Sequence, residues 1–222
     1  MQFVYVKEAG VSKLNLCVKE FAHIFKVRRV KSQSSLMLRN LQDDKIYTYK
    51  IQEIGKKEAF LELENVQLLE IKPEKFLHLG WSIIDPKSVE KSIAMLNEIG
   101  VSKITFLYAD YSQKHFKIDT QRLERILINS CEQCGRSNLI QLNFLKNVDE
   151  FVELYPDCAV IDFSNSLLHS GCEENIFLIG PEGGFSQREK KLFQKCQVYG
   201  LSTKMILRSE SATIGVSSKM LL

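Results

Sequence analysis

The sequence predicts an α/β protein in two parts: a small β-barrel over residues 1–68, then a mostly parallel sheet flanked by helices over 69–222. Two observations carry this. Before residue 70 the apolar residues recur with period two in short segments, as in half-buried antiparallel strands. After it, apolar runs alternate with stretches of helical period, the grammar of strand–helix–strand units with helices on both faces.

In the first part, the opening Met-Gln-Phe-Val-Tyr stretch reads as a strand near 2–6. A helical stretch at 18–29 follows, then a strand near 35–41. Tyr47, Tyr49 and Ile51 alternate with Thr48 and Lys50. Gly55-Lys56-Lys57 then turns, and Leu61 and Leu63 alternate with Glu62 and Glu64, which describes a hairpin. In the second part, the apolar run Phe76–Ile84 is a strand. Asp85-Pro86 supplies an N-cap and a first-turn proline for a helix built on Val89, Ile93, Leu96 and Ile99, stopped by Gly100. Ile104–Ala109 is a strand. Asp119 or Thr120 then caps a helix with Leu123, Ile126, Leu127 and Cys131 inward and Gly135 at its end. A strand near 139–144, a helix near 147–155 stopped by Pro156, and strands at Cys158–Phe163 and Ile176–Gly180 follow. Ser186 and Glu189 form a capping box for a helix at Gln187–Gln197. Met205–Leu207 is expected as a last short strand and Ser211–Leu222 as the last helix.

The 222 residues are 45% hydrophobic and 26% charged, the balance of a soluble globular protein. No apolar run is long enough to span a bilayer and no leader pattern is visible, so the expected location is the cytoplasm. The six cysteines include one C-x-x-C pair, Cys131 and Cys134, with no second pair to complete a zinc site. No metal is expected, and the cysteines read as reduced thiols. Net charge is only +3. Its distribution is informative, because Lys19, Lys26, Arg28, Arg29, Lys31 and Arg39 face Glu20 alone between positions 19 and 39. Such a cluster suits either a phosphate footprint or a solvated helix face.

In open parallel sheets, ligands bind at the carboxyl ends of strands. Two stretches occupy that position: Ile179-Gly180-Pro181-Glu182-Gly183-Gly184-Phe185-Ser186 and Ile206-Leu207-Arg208-Ser209-Glu210-Ser211-Ala212. The glycines allow close backbone approach to a flat ligand, and they equally suit a tight strand-to-helix turn. Neither stretch is a phosphate loop or a dinucleotide fingerprint.

These two stretches resemble the signature segments of the 16S ribosomal RNA uracil-N3 methyltransferase family of the SPOUT superfamily. Glu132-Gln133-Cys134-Gly135-Arg136 is similar to its E-Q-x-x-R helix end, Asn97–Val101 to its T-E-L-G-V segment, and His23–Arg28 to its N-terminal basic motif. The resemblance covers nearly the whole chain, in order. Ser211, Asn97 and Met95 depart from the family's usual Thr, Thr and Lys, and the Gly-Asp pair is missing from 32–35.

The resemblance implies a PUA-like barrel in front of a C-terminal trefoil-knot domain, and a homodimer acting on 16S rRNA of the small ribosomal subunit. It implies S-adenosylmethionine as cofactor, held by Leu178, Ile179, Gly180, Pro181, Glu182, Gly183 and Gly184. Tyr199, Gly200 and Leu201 would hold it too, with Ile206, Leu207, Arg208, Ser209 and Ala212. His23, Lys26, Arg28, Arg29, Gln133 and Arg136 are the expected RNA contacts. Arg136 and Arg208 are the candidates to stabilise a uracil anion, with Glu182 to orient substrate or take a proton. The competing readings are a half-buried helix histidine at 23, a helix-end arginine at 136 and a surface charge at 208. Two other functions stay open: a SPOUT enzyme acting on transfer RNA or another RNA position, and a non-catalytic RNA-binding assembly protein.

Overall fold

The computed structural model describes residues 3–27 and 35–222. Its contacts divide the chain into two compact units, Met1–Lys72 with Ile128–Leu139, and Pro73–Leu127 with Ile140–Leu222.

Among the described residues the first unit holds five strands: β1 (Val4–Tyr5), β2 (Lys13–Leu16), β3 (Leu36–Arg39), β4 (Lys45–Ile54) and β5 (Ala59–Leu68), in the order β1-β3-β4-β5-β2. The period-two residues form the central hairpin, with Tyr49 opposite Leu63 and Ile51 opposite Leu61. Its turn closes where the Gly55 amide donates to the Glu58 carbonyl at 2.9 Å. Register shifts at Thr48/Tyr49 and Ile51/Glu53 bend this long ribbon. β2 escaped the sequence reading because four residues give only two apolar alternations, Leu14 and Leu16. Both are buried with Leu38, Tyr49 and Leu61. The Tyr49 hydroxyl donates to the Val11 carbonyl (2.6 Å) and accepts from the Gly10 amide (2.9 Å), so its polar end is satisfied inside the core.

The helical stretch begins as α1 (Val18–Phe21) and loosens into a π-helical turn over Ala22–Val27, burying Phe21 and Ile24. The continuation expected through Arg28 and Arg29 lies outside the described residues, as does Lys31. Arg39 requires a correction. Grouped by sequence with the basic cluster, it is 1% exposed and points inward from β3. Its guanidinium donates to the Leu69 carbonyl at 2.9 Å and lies over the Phe3 ring, 5.3 Å from the centroid. It ties the unit together and presents no charge to a ligand.

The second unit is a six-stranded parallel sheet in the order β11-β9-β10-β6-β7-β8. The strands are β6 (His78–Ser82), β7 (Lys103–Tyr108), β8 (Gln141–Asn147), β9 (Ala159–Ile161), β10 (Ile176–Ile179) and β11 (Val198–Tyr199). The helices are α2 (Pro86–Ile99), α3 (Thr120–Cys134), α4 (Val148–Leu154), α5 (Gln187–Leu192) and α6 (Ser209–Leu221); from Ile128 onward α3 counts with the first unit.

Each helix end follows local chemistry. Asp85 stands at the N-cap of α2 but offers no side-chain cap; its carbonyl takes the Ser88 and Val89 amides instead. Gly100 ends α2 at φ 110°, where a side chain would be strained. The Asn147 side chain caps α4, and the Ser186–Glu189 capping box forms as expected. On one face of the sheet, Leu107, Val160 and Leu178 pack with Phe151 of α4 and with Phe193 just beyond α5. Gly80 is required there, since a Cβ would lie 2.4 Å from the Phe151 ring. Trp81 points to the other face and reaches α6.

The strand expected at Met205–Leu207 is absent: that segment is irregular and exposed. The edge of the sheet is taken by β11, whose two residues are too few to show a period. The helix expected to Gln197 stops at Leu192, followed by a tighter turn over Phe193–Lys195.

Candidate active site

Three loops meet at the carboxyl ends of β9, β10 and β11 and enclose an open cleft of about 720 Å³. This is the size range of small-molecule sites. The loop after β10 contributes Gly180–Phe185, the loop after β11 contributes Gly200, Leu201 and Thr203 and then Met205–Leu207, and the start of α6 contributes Ser209 and Ala212. The two signature stretches therefore line one space.

Glycine is needed in these loops for identifiable reasons. Gly184 has φ 68°, and a Cβ there would meet nothing within 4 Å, so the backbone borders open room. Its amide donates to the Pro181 carbonyl at 2.9 Å, closing the turn. At Gly200 a Cβ would stand 2.2 Å from the Ser164 carbonyl oxygen. The Gly200 amide donates to Ser166 (2.8 Å) and its carbonyl accepts from Leu168 (2.9 Å), so the loops after β9 and β11 run against each other as backbone. Gly183 lines the cleft beside Tyr111: a Cβ added there would stand 3.1 Å from the Tyr111 Cβ and 3.5 Å from its ring carbons.

Two buried polar groups fix the loop after β10. The Ser209 hydroxyl donates to the Gly180 carbonyl (2.6 Å) and accepts from the Trp81 indole N–H (3.0 Å). Glu189, fully buried, accepts from the Ser186 amide (2.8 Å) and from the Asp110 amide (2.9 Å). Arg188 clamps the Asp110 carboxylate through two nitrogens and reaches Asp149 at 2.7 Å. Its hydrogen bonds hold the Asp110 carboxyl below the usual carboxylate range, with the Ser186 hydroxyl adding to the effect.

Of the expected cofactor residues, Ile179 through Gly184, Gly200, Leu201, Ile206, Leu207, Ser209 and Ala212 line the cleft. Leu178, Tyr199 and Arg208 do not: Leu178 faces the core beneath, the Tyr199 hydroxyl donates to Glu174 at 2.9 Å, and Arg208 stands between the lining residues Leu207 and Ser209. Arg208 is exposed at the start of α6 and makes no ion pair among the described residues. Glu182 is exposed at the cleft. The sequence reading missed the wall Ile161–Asn165 with Leu167; the strand-end rule that found the other loops applies equally after β9.

The remaining candidates lie in the first unit. Lys26 is exposed. His23 stands 3.7 Å from the Glu132 carboxylate, which also accepts the Tyr5 amide at 2.8 Å. Gln133 is exposed whereas Arg136 is 4% exposed, with Nε on the Asn138 side chain at 3.0 Å, so the two present different faces. Arg28 and Arg29 lie outside the described residues. Among the described residues no three His, Cys, Asp or Glu side chains gather as a metal site.

An RNA methyltransferase domain family matches residues 72–221, and an RNA methyltransferase PUA domain family matches 16–64. A ribosomal RNA small subunit methyltransferase E from Helicobacter pylori is 45% identical over 222 residues, covering 98% of each chain. The chain belongs to the ribosomal RNA small subunit methyltransferase E family. A methyltransferase from Legionella pneumophila, solved with bound SAM, superposes with a TM-score of 0.83 at 26% identity, over 98% of this chain and 95% of that one. The family's enzyme from Neisseria gonorrhoeae, bound to S-adenosyl methionine, has the same fold at 20% identity, with a TM-score of 0.83 and the same coverage. Membership makes the five-stranded sheet the PUA-like part and the parallel sheet the SPOUT methyltransferase part of this family member.

Proposed function

We propose that this protein methylates N3 of a uridine in 16S rRNA of the small ribosomal subunit, using S-adenosyl-L-methionine, in the cytoplasm and as a homodimer. The observation that carries the reading is the convergence of both signature loops on one cleft at the strand ends. The cleft fits such a cofactor. The backbone amides of Glu182, Gly183 and Leu201 suit its polar parts, Gly184 leaves room, and Ile161, Ile179 and Leu207 offer apolar walls to a flat ring. The trefoil knot that the family implies would fall in this region, where the loops after β9 and β11 run together through the Leu167–Gly200 pairing.

When bound, S-adenosylmethionine supplies an electrophilic methyl group on sulfur. The protein must then hold the uracil in line and remove the N3 proton, because the neutral ring nitrogen is a poor nucleophile. Arg208, exposed beside the cleft, stabilises the charge that develops on the uracil carbonyls. Glu182, at the lip, orients the base or accepts the proton. Arg136 is the second candidate for the anion, and Lys26, His23, Gln133, Arg28 and Arg29 for RNA contacts. Ser209 and Glu189 keep the cofactor loop in shape without touching the reaction.

The test is transfer of labelled methyl from S-adenosylmethionine to purified small subunits lacking the modification. Label recovered as 3-methyluridine supports the reading. Label in a ribose, another base or transfer RNA overturns it, as does binding without transfer.

A further inference from the structure

We propose that Tyr111 is the stacking platform for the uracil at the mouth of the cleft, and that the loop it belongs to, 110–118, grips the flanking RNA strand. The inference rests on the function proposed above. It starts from a juxtaposition within the second unit: Tyr111 follows β7 at the carboxyl end of the sheet and packs on Gly183, a residue of the cofactor loop. A methyl acceptor must approach within about 3–3.5 Å of the methyl group, so the acceptor base lies at this mouth. Tyr111 nevertheless remains 56% exposed. A large aromatic side chain beside a methyl-transfer cleft, held against Gly183 and still more than half exposed, suits an unstacked base.

The rest of the loop fits a phosphate backbone. Lys114, His115 and Lys117 are exposed, and the His115 ring packs on Phe116 at 4.5 Å. The acidic residue next to Tyr111, Asp110, is paired with Arg188, which also holds Asp149, so this cluster keeps one net negative charge against the two lysines of the loop. The loop is also held in advance. The Ser112 amide donates to Ala109 (3.0 Å), the Tyr108 hydroxyl to the Phe116 carbonyl (2.6 Å) and the Asp110 amide to Glu189 (2.9 Å). A platform fixed before binding loses little entropy when the base arrives.

The experiment compares Tyr111→Phe, Tyr111→Leu and Tyr111→Ala in the full-length protein. Binding of a short oligouridylate, KM for unmodified small subunits and calorimetric affinity for S-adenosylmethionine are measured for each. Phe should match the parent. Leu and Ala should weaken oligouridylate binding and raise KM on the order of tenfold, with cofactor affinity unchanged. Leu equal to Phe would reduce Tyr111 to packing, and cofactor affinity falling in step with RNA binding would reduce it to a prop for Gly183. Either overturns the proposal. If the parent methylates and all three variants bind and turn over alike, the platform is wrong while the methyltransferase reading stands. If the parent itself transfers no methyl, the fault lies in the function proposed above.

Discussion

At the scale of single residues, Gly200 is the most constrained position in the cleft. A methyl group there meets a backbone carbonyl oxygen at 2.2 Å, and backbone cannot swing aside as a side chain can. Gly200→Ala should therefore displace the loop after β9 and lower S-adenosylmethionine affinity by on the order of tenfold or more, read by calorimetry. Unchanged affinity would take this crossing out of the cofactor site. The two arginines should separate by measurement. Arg208 is exposed, so Arg208→Ala should lower the single-turnover rate on the order of a hundredfold and leave the melting temperature in place. Arg136 is buried, so Arg136→Ala should cost about 1–3 kcal/mol of stability by stranding its partners. A rate loss in Arg136→Lys at unchanged stability and cofactor affinity would return Arg136 to the chemistry. Neither burial nor exposure was legible from sequence: Arg136 follows one helix and Arg208 precedes another, and only the surrounding packing distinguishes them.

At the scale of elements, His78 on β6 carries a pH prediction. It is 1% exposed, 2.8 Å from the Thr105 hydroxyl and edge-on to the Tyr155 ring. Burial, helped by the charge of Lys103, lowers its pKa from 6.5 to about 4. The unfolded chain thus takes up the proton first. Stability is full above pH 6.5 and falls as pH drops toward 4, by up to about 1.4 kcal/mol per unit from this group. Denaturant titrations of His78→Gln should lack that slope; an identical slope would assign it to other groups. Elements with strong local signals were the ones read correctly from sequence. The capping box at Ser186, the Asn147 region after a strand, Gly100 and the 47–63 hairpin all declare themselves within a few residues. β2 and β11 did not, because two apolar residues make no period, and Met205–Leu207 misled because its aliphatic side chains line an open cleft instead of a sheet.

At the scale of the molecule, alternation of strands and helices was enough to foresee a parallel sheet, but its order, β11-β9-β10-β6-β7-β8, depends on crossovers that local patterns do not encode. The strand-end rule pointed to the wall at Ile161–Asn165, but not to its sharing one cleft with residues 179–212, which needs the sheet order. The homodimer belongs to this scale too. Sedimentation should give a dimer at micromolar concentration, and a fully active monomer would remove it from the account. The most direct test of the central claim is nucleoside analysis of 16S rRNA from a strain lacking this protein. The account predicts that 3-methyluridine disappears, returns with the parental gene and stays absent with Gly200→Ala. Undiminished 3-methyluridine in the deletion strain, or loss of a different methylated nucleoside, would contradict it.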